Sequence, residues 1–74
     1  MPKLKNIELQ KKIGLKLKKL RLQKELSQIE LSYRSDIDRR QILRIEKGEL
    51  NTTIGTLSNL AKALGIDIID LLVE

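Results

Sequence analysis

Asp38-Arg39-Arg40-Gln41-Ile42-Leu43-Arg44-Ile45-Glu46-Lys47 is the stretch on which the reading of this chain turns. Wound as a helix at 100° per residue, it puts Ile42 and Ile45 on one side and Arg40, Leu43, Arg44 and Lys47 on the other. Two isoleucines anchor the helix from behind, and cations line its exposed face. A helix that enters the major groove of a duplex needs that division.

The flanking residues give this segment its ends. Asp38 with Gln41 forms a capping pair at its start, and Gly48 follows Lys47 as the glycine that stops it. Upstream, Ser27-Gln28-Ile29-Glu30 is a capping box that opens a helix running to about Arg34. Ser35-Asp36-Ile37 then turns the chain, with Asp36 as the left-handed residue. A helix-turn-helix places specific demands on these positions. It needs an apolar residue facing the next helix (Leu31), a small one where the backbones approach (Ser32), a residue tolerant of positive φ (Asp36), a buried one after it (Ile37) and two core anchors (Ile42, Ile45). All six are present at compatible spacings.

The remaining segments also read as helices. Helix 1 spans about residues 7–23, with Ile13, Leu17 and Leu20 as its core stripe. Lys11, Lys12, Lys16, Lys18 and Lys19 lie mostly off the stripe, and Leu9, Leu15 and Leu22 are expected to be partly exposed. Lys24-Glu25-Leu26 is a turn. Thr53 caps helix 4, whose Ile54, Leu57, Leu60, Ala61 and Leu64 form a continuous stripe ended by Gly65. Asp67 caps a last short helix whose Ile68, Leu71 and Leu72 are available to the core. The expected fold is all-α, a compact five-helix bundle containing a helix-turn-helix in helices 2 and 3. Residues 1–74 form one domain, with residues 1–5 a loose basic lead.

Composition narrows the function. The chain has 74 residues, a net charge of +5, no cysteine and no histidine. These counts remove disulfide staples, the usual zinc sites and thiol chemistry. With no nucleophile–base pair or metal cluster, an enzyme is not expected, nor is any cofactor. The chain shows no apolar leader and no membrane span, so the expected location is the cytoplasm. Charge is unevenly distributed. Lys3, Lys5, Lys11, Lys12, Lys16, Lys18, Lys19, Arg21 and Lys24 face only Glu8 in residues 1–24, whereas residues 50–74 set Lys62 against Asp67, Asp70 and Glu74. The basic half suits a polyanion, or is solvated helix surface; the other half suits a protein contact. Tyr33 is the one aromatic residue, which argues against base stacking on single strands or RNA.

With these residues in place, the chain resembles the phage-repressor/Cro-like (XRE) helix-turn-helix family. The matching segments are Ile13-Gly14, Leu20-Arg21, Leu26-Ser27-Gln28-x-Glu30-Leu31, Ile42-x-x-Ile45-Glu46-x-Gly48 and Thr56-Leu57-x-x-Leu60-Ala61-x-Ala63-Leu64-Gly65. They cover about residues 13–72. The resemblance implies that helix 3 is a recognition helix, that Gln28 touches DNA and that Arg21 pairs with Glu46 inside the fold. The helical wheel agrees with that pair, since both residues flank apolar stripes. The chain departs from the family at Glu25 and Asp36, where glycine is usual, and at Thr52, where proline is common.

The expected function is that of a sequence-specific double-stranded DNA-binding transcriptional regulator, of repressor or controller type, with the recognition helix at about residues 39–47. The competing reading is a protein-interaction module on the same fold, such as an antitoxin or adaptor. Arg40 and Arg44 are the candidates for base readout, because arginine fits the guanine edge bidentately. Arg39 reaches a base or a phosphate. Leu43 packs on a thymine methyl, on helix 2 or on a partner. Gln28, Lys47, Asn51 and Thr52 are the phosphate candidates. Ile69, Leu72 and Val73 are the expected homodimer surface, which implies a near-palindromic operator. No small-molecule effector is evident.

Overall fold

The computed structural model describes residues 6–73, so the basic lead expected at residues 1–5 lies outside the described residues. Five helices follow in order: α1 (Asn6–Gln23), α2 (Gln28–Ser35), α3 (Arg39–Glu46), α4 (Ile54–Leu64) and α5 (Ile69–Leu72). No strand occurs among the described residues. α1 packs on α3 and α5, α2 packs on α3 and α4, and α4 packs on α5. α3 is therefore clasped by α1 and α2, and its remaining face looks outward.

The apolar stripes meet in one core. Ile13 and Leu17 of α1, Leu26 of the first turn, Leu31 of α2, Ile42 and Ile45 of α3, and Leu57, Leu60 and Leu64 of α4 are all buried, with Leu71 closing the far end. Leu20 and Ile37 are only partly buried against this cluster. Leu9, Leu15 and Leu22 are exposed, as their position off the stripe requires. Leu72, which the stripe of the last helix assigns to the core, is exposed instead. α5 has a single turn, so only Leu71 points fully inward.

Close approach of α1 and α3 depends on Gly14. A Cβ there would collide with the carbonyl oxygen of Ile45 and stand 3.0 Å from that of Glu46. The backbone of α1 thus lies directly against the last turn of α3.

The helix ends are closed by local chemistry. Ser27 Oγ accepts the Glu30 N–H at 3.0 Å and Glu30 Oε1 accepts the Ser27 N–H at 3.0 Å, completing the capping box. Asp38 caps α3 through the Arg40 N–H at 2.9 Å. The bond goes two residues on, not three, so Gln41 does not take the reciprocal role expected for it. Thr53 Oγ1 accepts the Thr56 N–H. At α5, Asp67 Oδ1 accepts the Ile69 N–H while Asp70 Oδ2 accepts the Asp67 N–H, a box built from two aspartates.

Three helices stop in the same way. Glu25, Gly48 and Gly65 have φ of 57°, 73° and 71°. At each, the following residue donates back to the carbonyl five positions earlier: Leu26 to Arg21, Glu49 to Arg44 and Ile66 to Ala61. This is the Schellman closure, which requires a left-handed residue. α2 ends more simply: Asp36, at φ 60°, donates its N–H to Ser32 O. α2 also runs one residue further than the sequence implies, to Ser35. The buried Ser35 hydroxyl accepts from Ile37 N, and Ser32 Oγ donates to Ile37 O at 2.6 Å. Two serines thereby hold the turn between α2 and α3.

Candidate nucleic-acid interface

The outward face of α3 carries Arg39, Arg40 and Arg44, all exposed, and Lys47 is exposed at its C-cap. Arg40 and Arg44, one turn apart, share with Asp38, Gln41 and Leu50 the walls of one groove. Arg39 lies on the opposite flank, in a groove with Ile29 and Tyr33 of α2 and Asp36 of the turn. Tyr33 is 85% exposed there. The cations thus divide between two sides of a helix whose Ile42 and Ile45 are wholly buried. Leu43 is half-buried. It is neither a core residue nor a freely projecting one.

The helix is held from behind by ionic contacts as well. Arg21 Nε donates to Glu46 Oε2 at 2.7 Å and Arg21 Nη2 donates to Glu46 Oε1 at 3.0 Å. The third arm of the guanidinium, Nη1, donates to Leu26 O at 2.7 Å. Both side chains are almost out of solvent, at 9% and 3% exposed. A bidentate, charge-assisted pair with every fork occupied is the arrangement that makes burial of two charges tolerable. It joins the end of α1, the first turn and the end of α3.

Gln28 is part of that cluster, a link that reading the sequence missed. Its Nε2 donates to Glu46 Oε1 at 3.1 Å. Helical periodicity describes one helix at a time and carries no signal for a contact between the start of α2 and the end of α3. Gln28 is half-buried as a result, where a residue serving only a phosphate would be free.

Asn51 is exposed in the loop after α3. Thr52 is corrected: its hydroxyl is buried and without a hydrogen-bond partner among the described residues, so it is not presented to a phosphate. The basic residues of α1 also divide. Lys11 packs beside Gly48 at the end of α3. Lys12, Lys16 and Lys19 instead line a groove with Leu71 and Leu72 of α5 and the Val73 that follows it. The basic half of the sequence is therefore not one surface. Among the described residues no group of His, Cys, Asp or Glu could hold a metal ion, and no helix is long and apolar enough to cross a membrane.

Fold and site together define a helix-turn-helix protein with a cationic second helix. Comparison with known proteins places it more closely. The HTH_3 helix-turn-helix family matches residues 17–71. The control protein C.BamHI of Bacillus amyloliquefaciens is 37% identical over 60 residues, which cover 80% of this chain and 74% of the relative. The restriction-modification controller protein C.AhdI from Aeromonas hydrophila superposes with a TM-score of 0.82 at 35% identity, covering 84% of this chain and 94% of that one. The controller protein C.Esp1396I, solved as a tetramer in complex with its natural 35 base-pair operator, gives a TM-score of 0.78 at 32% identity, covering 89% and 96%. The chain belongs to the HTH_3 family of helix-turn-helix transcriptional regulators.

Proposed function

We propose that this chain is a sequence-specific regulator of transcription that lays α3 in the major groove of a near-palindromic operator. The observation that carries the reading is the mounting of α3. One face is fixed by Ile42, Ile45 and the Arg21–Glu46 pair, while Arg39, Arg40 and Arg44 project from the rest. Arg40 and Arg44 read base edges, and Arg39 reads a base or holds a phosphate. Leu43, half-buried between them, offers an apolar edge to a thymine methyl. Lys47, Asn51 and Gln28 contact the backbone. The operator complex of C.Esp1396I supports duplex DNA as the partner and assembly of several copies on it. The chain acts by binding, without catalysis, as one cytoplasmic domain.

Binding titrations against duplexes selected from a randomised pool, at several salt concentrations, test this. Arg40→Ala and Arg44→Ala are each expected to cost ~1–3 kcal/mol and to relax preference at one base position. Lys47→Ala is expected to weaken all sequences alike and to flatten the salt slope by about 1. A folded double arginine variant that binds its selected site as well as the parent would remove α3 from the groove.

A further inference from the structure

Glu46 is bonded to more than its arginine. Its Oε1 accepts from both Arg21 Nη2 and Gln28 Nε2, so one carboxylate joins the ends of three helices. A carboxylate paired bidentately with a guanidinium is ionised and only accepts hydrogen bonds. It therefore decides which end of the Gln28 amide turns inward: the nitrogen, never the carbonyl oxygen. One amide hydrogen is used by Glu46 and the other remains. Arg21 cancels the negative charge that would otherwise repel a polyanion at this point. Gln28 is also the first residue of α2, where the leading N–H groups have no intrahelical acceptor and the helix dipole is positive.

We propose that Glu46 is a positioning residue for DNA binding. Held by Arg21, it locks the Gln28 side chain so that the second amide N–H donates to a backbone phosphate at the start of α2. The phosphate contact of α2 and the base-reading face of α3 are then tied together through the last residue of α3. This role rests on the duplex-binding reading above and adds to it a specific coupling between residues 28 and 46.

A double-mutant cycle on DNA affinity measures that coupling. The second background is Arg21→Met with Glu46→Leu, because apolar replacement of a whole buried pair preserves folds that loss of one partner does not. Circular dichroism checks the fold, and the probe is a labelled duplex selected from a randomised pool. Gln28→Ala is expected to weaken binding about tenfold in the parent and less than about twofold in the apolar background. The salt slope should be unchanged, since no cation is lost. An equal factor in both backgrounds, or no effect in the parent while Arg44→Ala weakens binding, overturns the role. If the apolar background does not fold, side-chain 15N relaxation of the native protein decides. Gln28 should show an order parameter near the ~0.85 of rigid backbone, and exposed Gln23 a much lower one. A Gln28 amide as mobile as that of Gln23 overturns the proposal. A native protein that selects no duplex removes the functional reading itself, and this role with it, even if Gln28 is rigid.

Discussion

At the scale of single residues, the backbone at Glu25 and Asp36 is held where side chains are unfavourable. Both are left-handed, with φ of 57° and 60°. Glu25 donates its N–H to Leu22 O and is followed by the bond from Leu26 N to Arg21 O. The conformation is thus imposed by the Schellman closure rather than chosen by glutamate. Glu25→Gly relieves the Cβ clash but restores unfolded-chain entropy, so the net gain is expected to be ~1 kcal/mol or less. Denaturant unfolding would measure it, and a clear loss of stability would mean that the Glu25 side chain contributes more than its backbone costs. These turn positions were legible because glycine is their usual occupant and its absence stands out. The inward turn of the Thr52 hydroxyl was not legible. Rotamer choice in an irregular loop depends on neighbours that no local pattern encodes.

Among the elements, helix type and most boundaries follow from capping residues and apolar period, which act within a few residues of chain. The capping box of α2 makes a measurable claim about charge. The Ser27 backbone N–H, reinforced by the Ser27 hydroxyl and by Arg34, holds the Glu30 carboxyl below the usual glutamate range. Because the folded pKa is the lower one, ionised Glu30 stabilises the fold above the unfolded pKa, and the contribution is lost as pH falls through the folded pKa. A carboxyl NMR titration should put the Glu30 midpoint below that of a glutamate in the unfolded chain, and a midpoint at or above it would mean the box is open in solution. Packing between elements was harder to read. The Ile13-Gly14 match marks the position but says nothing of what it touches. The structure shows it pressed on the carbonyls of Ile45 and Glu46. Both obstacles are backbone, so α1 cannot yield without leaving α3. Gly14→Ala is expected to cost at least ~3 kcal/mol, at the upper end of overpacking penalties, with thermal unfolding as the measure. A loss under ~1 kcal/mol would show that α1 and α3 can separate at little cost.

For the whole molecule, the arrangement of apolar surface argues for a two-fold assembly. A chain of 74 residues buries only roughly 60–65% of its unfolded surface, so a second copy is a natural source of further burial. Ile69, Leu72 and Val73 remain 58%, 49% and 54% exposed. α5 is too short to turn them inward. Leu72 and Val73 adjoin Leu9 and Leu15 of α1 across the groove between the two helices, so the exposed side chains form one surface. The sequence offered Ile69, Leu72 and Val73 as the assembly surface; that Leu9 and Leu15 of α1 lie beside Leu72 and Val73 was not legible, because helix pairing has no local signature. A two-fold dimer that reads two adjacent half-sites must hold its two copies of α3 about 34 Å apart, one turn of duplex. Sedimentation equilibrium at micromolar concentration is expected to show a dimer. Ile69→Asp should shift it to monomer, because a two-fold axis brings each substituted position in twice and an isologous interface then buries two unpaired carboxylates. The same variant should bind a half-site as the parent monomer does and lose the affinity gained from joining two half-sites. A protein that stays monomeric on its operator, or a dimer indifferent to Ile69→Asp, would place the assembly surface elsewhere.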